Sequence, residues 1–246
     1  MKSYRHRDLS IVELEEGINI ITACDSCGSI GPKPLDELVV PAYITGAFAT
    51  RVPLLEVLST GAEVISVADC LCCEMEPTGK ELIQGILNEL ALANVEPKAL
   101  TGSTEENFPT KTTGIGVVVT GISKSKLKLQ KCLSGDLVAV IGIPKVGAEL
   151  NLPLDDEIVS YEDIFKLLPL DWVREIIPCG SKGIAYEAQE AAKYSGLKFV
   201  PDNPCSVDLQ KTAGPATCAV VTLDSGHKEE MEAIFHNKVS FVGKIY

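Results

Sequence analysis

The sequence predicts a mixed α/β protein on three observations. Short apolar runs rich in β-branched residues recur along the chain, helical periodicity appears between them, and no run is long enough to span a membrane. The apolar runs read as strands over residues 18–23, 64–68, 114–122, 137–143, 218–223 and 239–245. The clearest helix covers residues 77–94, where Leu82, Ile83, Ile86, Leu87 and Leu90 share one face. Pro77 suits its first turn, where a missing N–H costs nothing. A second helix is expected over residues 52–60, with Leu54, Leu55 and Leu58 inward, Gly61 as its stop and Pro53 in or near its first turn. A third runs over residues 184–194 and ends at Ser195-Gly196, and a fourth lies between His227 and Asn237. Residues 123–135 form a polar connector bearing Lys124, Lys126, Lys128 and Lys131. It divides the chain into an expected N-terminal domain of residues 1–125 and a C-terminal domain of residues 126–246.

Composition narrows the function. The 246 residues are 46% hydrophobic and 23% charged, the profile of a chain with a packed core. Asp and Glu outnumber Lys and Arg by 34 to 22, a net charge of −12. That excess argues against nucleic acid or an anionic membrane as partner, since both are polyanions. The basic first seven residues run into Glu13, Glu15 and Glu16 where a signal peptide needs an apolar stretch, so a cytoplasmic protein is expected. The odd count of nine cysteines favours reduced thiols over a disulfide framework. Two pairs, Cys24/Cys27 and Cys70/Cys73, have metal-like spacing, but residues 28–69 separate them, more than a zinc ribbon uses. Buried cysteines acting as small apolar residues explain them better.

Chemistry is expected where strands end on acids. One strand runs into Cys24-Asp25-Ser26-Cys27-Gly28, another into Asp69 with Glu74 and Glu76 soon after, and residues 99–101 lead into Gly102-Ser103-Thr104-Glu105-Glu106. Three such ends fit one site for a hard cation such as Mg²⁺, which prefers oxygen ligands; they fit solvated loops as well. Gly180-Ser181-Lys182-Gly183 ahead of a helix fits a phosphate loop, or a turn capped by Ser181. There is no Walker A loop and no protein-kinase signature. His6, His227 and His236 have no nucleophile pattern beside them.

Larger segments carry a resemblance. Ala49-Thr50-Arg51-Val52, Glu56-Val57-Leu58, Gly61-Ala62-Glu63, Val67-Ala68-Asp69, Glu74-Met75-Glu76-Pro77-Thr78-Gly79 and Leu100-Thr101-Gly102-Ser103-Thr104-Glu105 resemble the N-terminal domain of the aminoimidazole ribonucleotide synthetase superfamily. Ser134-Gly135-Asp136 and the strand after it resemble the opening of that superfamily's C-terminal domain. Its members include thiamine-monophosphate kinase, selenophosphate synthetase and a hydrogenase-maturation enzyme. The resemblance implies two α/β domains, a homodimer with paired N-terminal sheets, and an ATP site near the subunit interface with Mg²⁺ on carboxylates. Carried over by motif, Asp25, Glu56 (where relatives usually have Asp), Asp69 and Glu105 are the implied metal ligands. Ser103 stands where an acid is usual, and Glu105 is its implied replacement. Gly102, Ser103 and Thr104, with Gly180, Ser181, Lys182 and Gly183, are the implied nucleotide contacts.

The C-terminal half departs further, with Pro144-Lys145-Val146-Gly147-Ala148-Glu149 in place of a Gly/Ser-rich substrate loop. That loop and the short length look most like the α-ribazole kinases of cobalamin salvage. An ATP- and Mg²⁺-dependent kinase acting on a nucleoside-like alcohol is therefore implied, with Asp69 or Asp25 taking the hydroxyl proton. Lys145 or Lys182 would neutralise the transferred phosphoryl group. A thiamine-monophosphate-kinase-like enzyme and a non-catalytic nucleotide-binding regulator are the alternatives.

Overall fold

The computed structural model describes residues 1–151 and 155–246. It falls into two compact units, Met1–Leu58 with Ala62–Lys126, and Ser59–Gly61 with Leu127–Tyr246.

In the first unit β1 (Lys2–His6), β2 (Leu9–Glu13) and β3 (Asn19–Gly28) form a meander. A short parallel pair, β4 (Ile30–Gly31) and β5 (Leu38–Val39), leads into α1 (Ala42–Leu58). Then come β6 (Glu63–Leu71), α2 (Lys80–Leu92), β7 (Leu100–Thr104) and β8 (Gly114–Ser123). The sheet order is β1-β2-β3-β8-β6-β7, antiparallel except for the parallel β6–β7 pair, whose crossover contains α2. Burial along β8 alternates strictly, because α1 and α2 cover one face with Ile115, Val117 and Val119 beneath them. The helices approach closely at Gly46 and Gly85. A Cβ at Gly46 would strike the Leu82 backbone, and one at Gly85 the Tyr43 backbone.

The second unit contains β9 (Leu137–Gly142), α3 (Tyr161–Leu167), β10 (Val173–Pro178), α4 (Ile184–Tyr194), β11 (Phe199–Pro201), β12 (Cys218–Leu223), α5 (Lys228–Phe235) and β13 (Val239–Ile245). Its sheet is antiparallel throughout, in the order β10-β12-β9-β13-β11. Every residue of β9 and β12 is buried, so both faces of these strands are covered. One face packs Val138, Val140, Ile177 and Val220 against Ile184, Ala188 and Ala191 of α4.

Three sequence expectations change. The helix expected at 52–60 begins ten residues earlier, and Pro53 lies inside it; the Gly46–Leu82 packing sets that start. The strand expected at 18–23 continues through Gly28, because Gly114–Val118 of β8 pairs with it residue by residue. Asp25 is thus a strand residue, not a loop residue. Cys24 and Cys27 sit on β3, where positions three apart point to opposite faces, whereas Cys73 lies two residues past the end of β6. Of these four only Cys73 is buried; Cys24 and Cys70 are exposed and Cys27 is half-buried, so the expected role as buried apolar residues fails for three of them.

Candidate active site

The site grows from one row of the first sheet. Asp25 on β3 lies opposite Val117 on β8, Val117 opposite Asp69 on β6, and Asp69 opposite Gly102 on β7. Residues directly opposite share a face, so both carboxylates lie on the helix-covered side. Two strand spacings separate them, about 10 Å between backbones.

Asp69 is the unusual member. It is 4% exposed, and its Oδ1 has no hydrogen-bond partner. Its carboxyl group leans over Gly102, whose missing side chain leaves the space: a Cβ there would collide with all three carboxyl atoms. Burial pushes its pKa up to about 6, against the opposing hydrogen bond from the Ser103 N–H. Asp69 opens onto a cavity of about 280 Å³ lined by Met75, Ile83, Leu100 and the backbone run from Thr101 to Thr104. Burial also raises the Asp25 carboxyl, with the Ser26 N–H opposing it.

The rim is braced on one side. Glu106 accepts from the Met75 N–H at 2.8 Å and the Thr104 hydroxyl at 2.9 Å. Lys33 donates to Glu74 at 2.6 Å and to the Thr110 carbonyl at 3.3 Å. Burial alone would push the Glu74 carboxyl up, but the Lys33 ammonium and the Thr78 hydroxyl outweigh it and hold it at about 2. None of these braces is legible as a motif, since their partners lie up to 77 residues apart. Met75, Ile83 and Leu100 were equally hidden, because apolar wall residues look like core in a sequence.

The expected four-acid cluster does not assemble. Glu56 sits near the C-terminal end of α1, 8% exposed and paired with Arg7 at 3.7 Å. Its neighbour Val57 packs over Gly121, four residues along β8 from Val117 and about 13 Å away. Glu105 is turned aside, accepting from the Asn107 and Phe108 N–H groups at 2.6 and 3.2 Å. Ser103 lies in register with Cys70, on the opposite face from Asp69, so its side chain does not replace a ligand there. Among the described residues no three His, Cys, Asp or Glu side chains stand together as a metal site. Mg²⁺ does not need three: one or two carboxylates with substrate phosphates and water suffice. The orphaned Oδ1 of Asp69 is one such carboxylate oxygen, free to meet the ion.

The C-terminal candidates are engaged elsewhere. The Lys145 ammonium is clamped by Asp155 at 2.7 Å and Glu157 at 2.6 Å, which raise its pKa and neutralise the charge expected to meet a phosphoryl group. Lys182 lies over the Tyr186 ring at 4.3 Å and donates to its hydroxyl. Gly183 takes φ +80° at the start of α4, and Gln210 and Lys211 pack so closely that a Cβ there would strike them. The Ala185 N–H in the first turn already donates to the Leu209 carbonyl at 2.9 Å. In the segment Gly180, Ser181, Lys182 and Gly183, only Gly183 is buried, while Ser181 and Lys182 stay exposed.

No family model matches the sequence, and no curated protein does. Solved structures match it over nearly its whole length. A thiamine-monophosphate kinase from Stenotrophomonas maltophilia K279a aligns with a TM-score of 0.67 at 15% identity, covering 99% of this chain and 88% of that one. AaThiL complexed with AMPPCP and TMP gives 0.67 at 13%, covering 97% and 84%. A chain of the HypE–HypF complex gives 0.66 at 15%, covering 97% and 86%. The protein therefore has the α/β fold of the aminoimidazole ribonucleotide synthetase class. At such identities the likeness defines the fold, and the chemistry rests on the site.

Proposed function

We propose that this protein is an ATP- and Mg²⁺-dependent small-molecule kinase whose phosphate-binding centre is the Asp69 cavity. The observation that carries the reading is the buried, unpartnered Oδ1 of Asp69 above Gly102, a charge that burial disfavours until a cation meets it. A matching fold complexed with AMPPCP supports a nucleotide as the ligand. Gly102, Ser103 and Thr104 would line the nucleotide's path, and Asp69 would hold Mg²⁺. Mg²⁺ held by Asp69 would supply positive charge to offset the negative charge developing on the transferred phosphoryl group. Asp25, raised toward neutrality and on the same face, takes the proton of the attacking hydroxyl. The apolar wall of Met75 and Ile83 excludes water from one side of the cavity.

α-Ribazole is the proposed acceptor, with thiamine monophosphate as the competing one. A homodimer through the first sheet is proposed as well. On its helix-free face Thr22, Cys24, Ser26, Gly116, Val118, Thr120, Ser66, Ala68 and Cys70 form a central block without a charge, although 23% of the chain is charged.

A nucleotide-binding regulator without phosphoryl transfer is the second reading, favoured by the ion pairs that occupy Glu56 and Lys145. One experiment separates them: thermal shift with Mg-ATP, and ATP consumption over nucleosides and vitamin precursors. Stabilisation by Mg-ATP with consumption in the presence of α-ribazole supports the first reading. Stabilisation without consumption for any acceptor supports the second, and no stabilisation removes both.

A further inference from the structure

Three cysteines of the second unit are buried in one hydrophobic cluster, Cys132, Cys179 and Cys218, with the partly buried Cys205 packed at its margin. Two of them have a relation the others lack. The β10–β12 register places Pro178 opposite Ala219, so the next pair is Cys179 opposite Cys218. The Cys179 N–H donates to the Cys218 carbonyl at 2.8 Å, which continues the ladder to that pair. Both side chains are 0% exposed, and the Cys179 thiol donates to the Ile177 carbonyl at 3.9 Å. Cα atoms of such a hydrogen-bonded antiparallel pair stand about 5.5 Å apart, inside the Cα range a disulfide spans. Cys132 lies outside this register and points its thiol at the Ala191 carbonyl of α4 at 3.7 Å.

We propose that Cys179 and Cys218 are a redox-closable pair that forms a cross-strand disulfide under a peroxide-class oxidant. One sulfur takes an oxygen atom from the peroxide and releases water, giving a sulfenic acid. The other thiol displaces that oxygen as a second water, so two thiols and one peroxide give one disulfide and two waters. Burial slows the first step, because attack requires a thiolate. The pair therefore closes slowly and, once closed, is shielded from exchange with external thiols.

The bond would tie together the roots of two turns. Cys179 leads directly into Gly180, whose carbonyl accepts from the Gly183 and Ala213 N–H groups. Cys218 follows Thr217, whose hydroxyl accepts from the Lys145 N–H at 2.9 Å. Closing the pair fixes the roots of the 180–183 and 213–217 segments to each other.

The test uses the full chain. Native alkylation first caps the exposed Cys24, Cys70 and Cys72. Hydrogen peroxide follows, and non-reducing peptide mapping then locates any link. The expected result is a linked peptide joining Cys179 to Cys218, loss of the mass of two hydrogens, and reversal by dithiothreitol. The oxidised chain should melt about 5 °C or more higher, because about 40 residues are looped in the unfolded state. Hydrogen exchange at the Gly183 and Ala213 amides should slow. Cys132→Ala should keep the link, whereas Cys179→Ala and Cys218→Ala should each lose it. Free thiols at both positions after prolonged oxidation, over-oxidation of either sulfur, or a link to Cys132 or Cys205 would overturn the proposal.

Discussion

The two sheets bury their strands differently. In the second unit β9 and β12 are buried at every residue, whereas β8 of the first unit alternates between buried and half-buried positions. A sheet covered on both faces has little room for a reactive charge, and its candidate Lys145 is neutralised by two carboxylates. The half-covered sheet instead keeps a carboxylate, Asp69, under its helices and beside an edge strand, with one oxygen unpartnered. Chemistry sits where packing is incomplete, and rigidity where it is complete.

The largest effect expected follows from Asp69. Asp69→Asn should cut ATP consumption about 100-fold or more, about 3 kcal/mol of transition-state stabilisation, and abolish the Mg-ATP thermal shift. The same variant should melt higher than wild type without nucleotide, because a buried charge is gone. Paired calorimetry with and without Mg-ATP checks both signs, and a variant that binds Mg-ATP normally would remove Asp69 from the site.

The contrast between the sheets can be broken directly. Ile141→Ala in β9 should cost about 2–5 kcal/mol in chemical denaturation. Val118→Ala on the open face of β8 should cost below about 1 kcal/mol in dilute solution. A larger, concentration-dependent cost at Val118 would mean that a second copy covers this face.

Gly102→Ala should weaken Mg-ATP binding about tenfold or more, since the new methyl occupies the space of the Asp69 carboxyl group. A stability cost of about 1–3 kcal/mol should accompany it. Isothermal titration of the folded variant tests this, and unchanged affinity would show that the close approach is incidental.

The smallest effects are those of pH on the nucleotide-free chain. Asp69 has a folded pKa of about 6 against an ordinary 3.8, so the folded state holds its proton more tightly. Its contribution is fully present below about pH 4 and is lost as pH rises through about 6. Glu74 has the opposite sign: its contribution is present above 4.5 and is lost as pH falls toward about 2. Denaturation curves of Asp69→Asn and Glu74→Gln should each flatten the corresponding limb.

Much of this was legible in the chain itself. The run 218–223 and the helix 184–194 appear with the bounds expected, because a β-branched run and an amphipathic repeat report burial directly. Asp69 and Gly102 were legible as residue types the site uses, but both lie inside β6 and β7 and not past their ends, because the two strands pair through Leu71 and Thr104. β1 and β10 were not, since Lys2, Arg5, Arg174 and Glu175 interrupt their apolar pattern.

By itself, the sequence determined the α/β class, the central strands and the acids that chemistry could use, because local periodicity and residue type are local properties. Only the tertiary structure decided which acids meet. Register brought Asp25, Asp69 and Gly102 into one row, while α1 carried Glu56 to its far end and ion pairing closed off Lys145. Those outcomes depend on partners distant along the chain, and no local pattern encodes them.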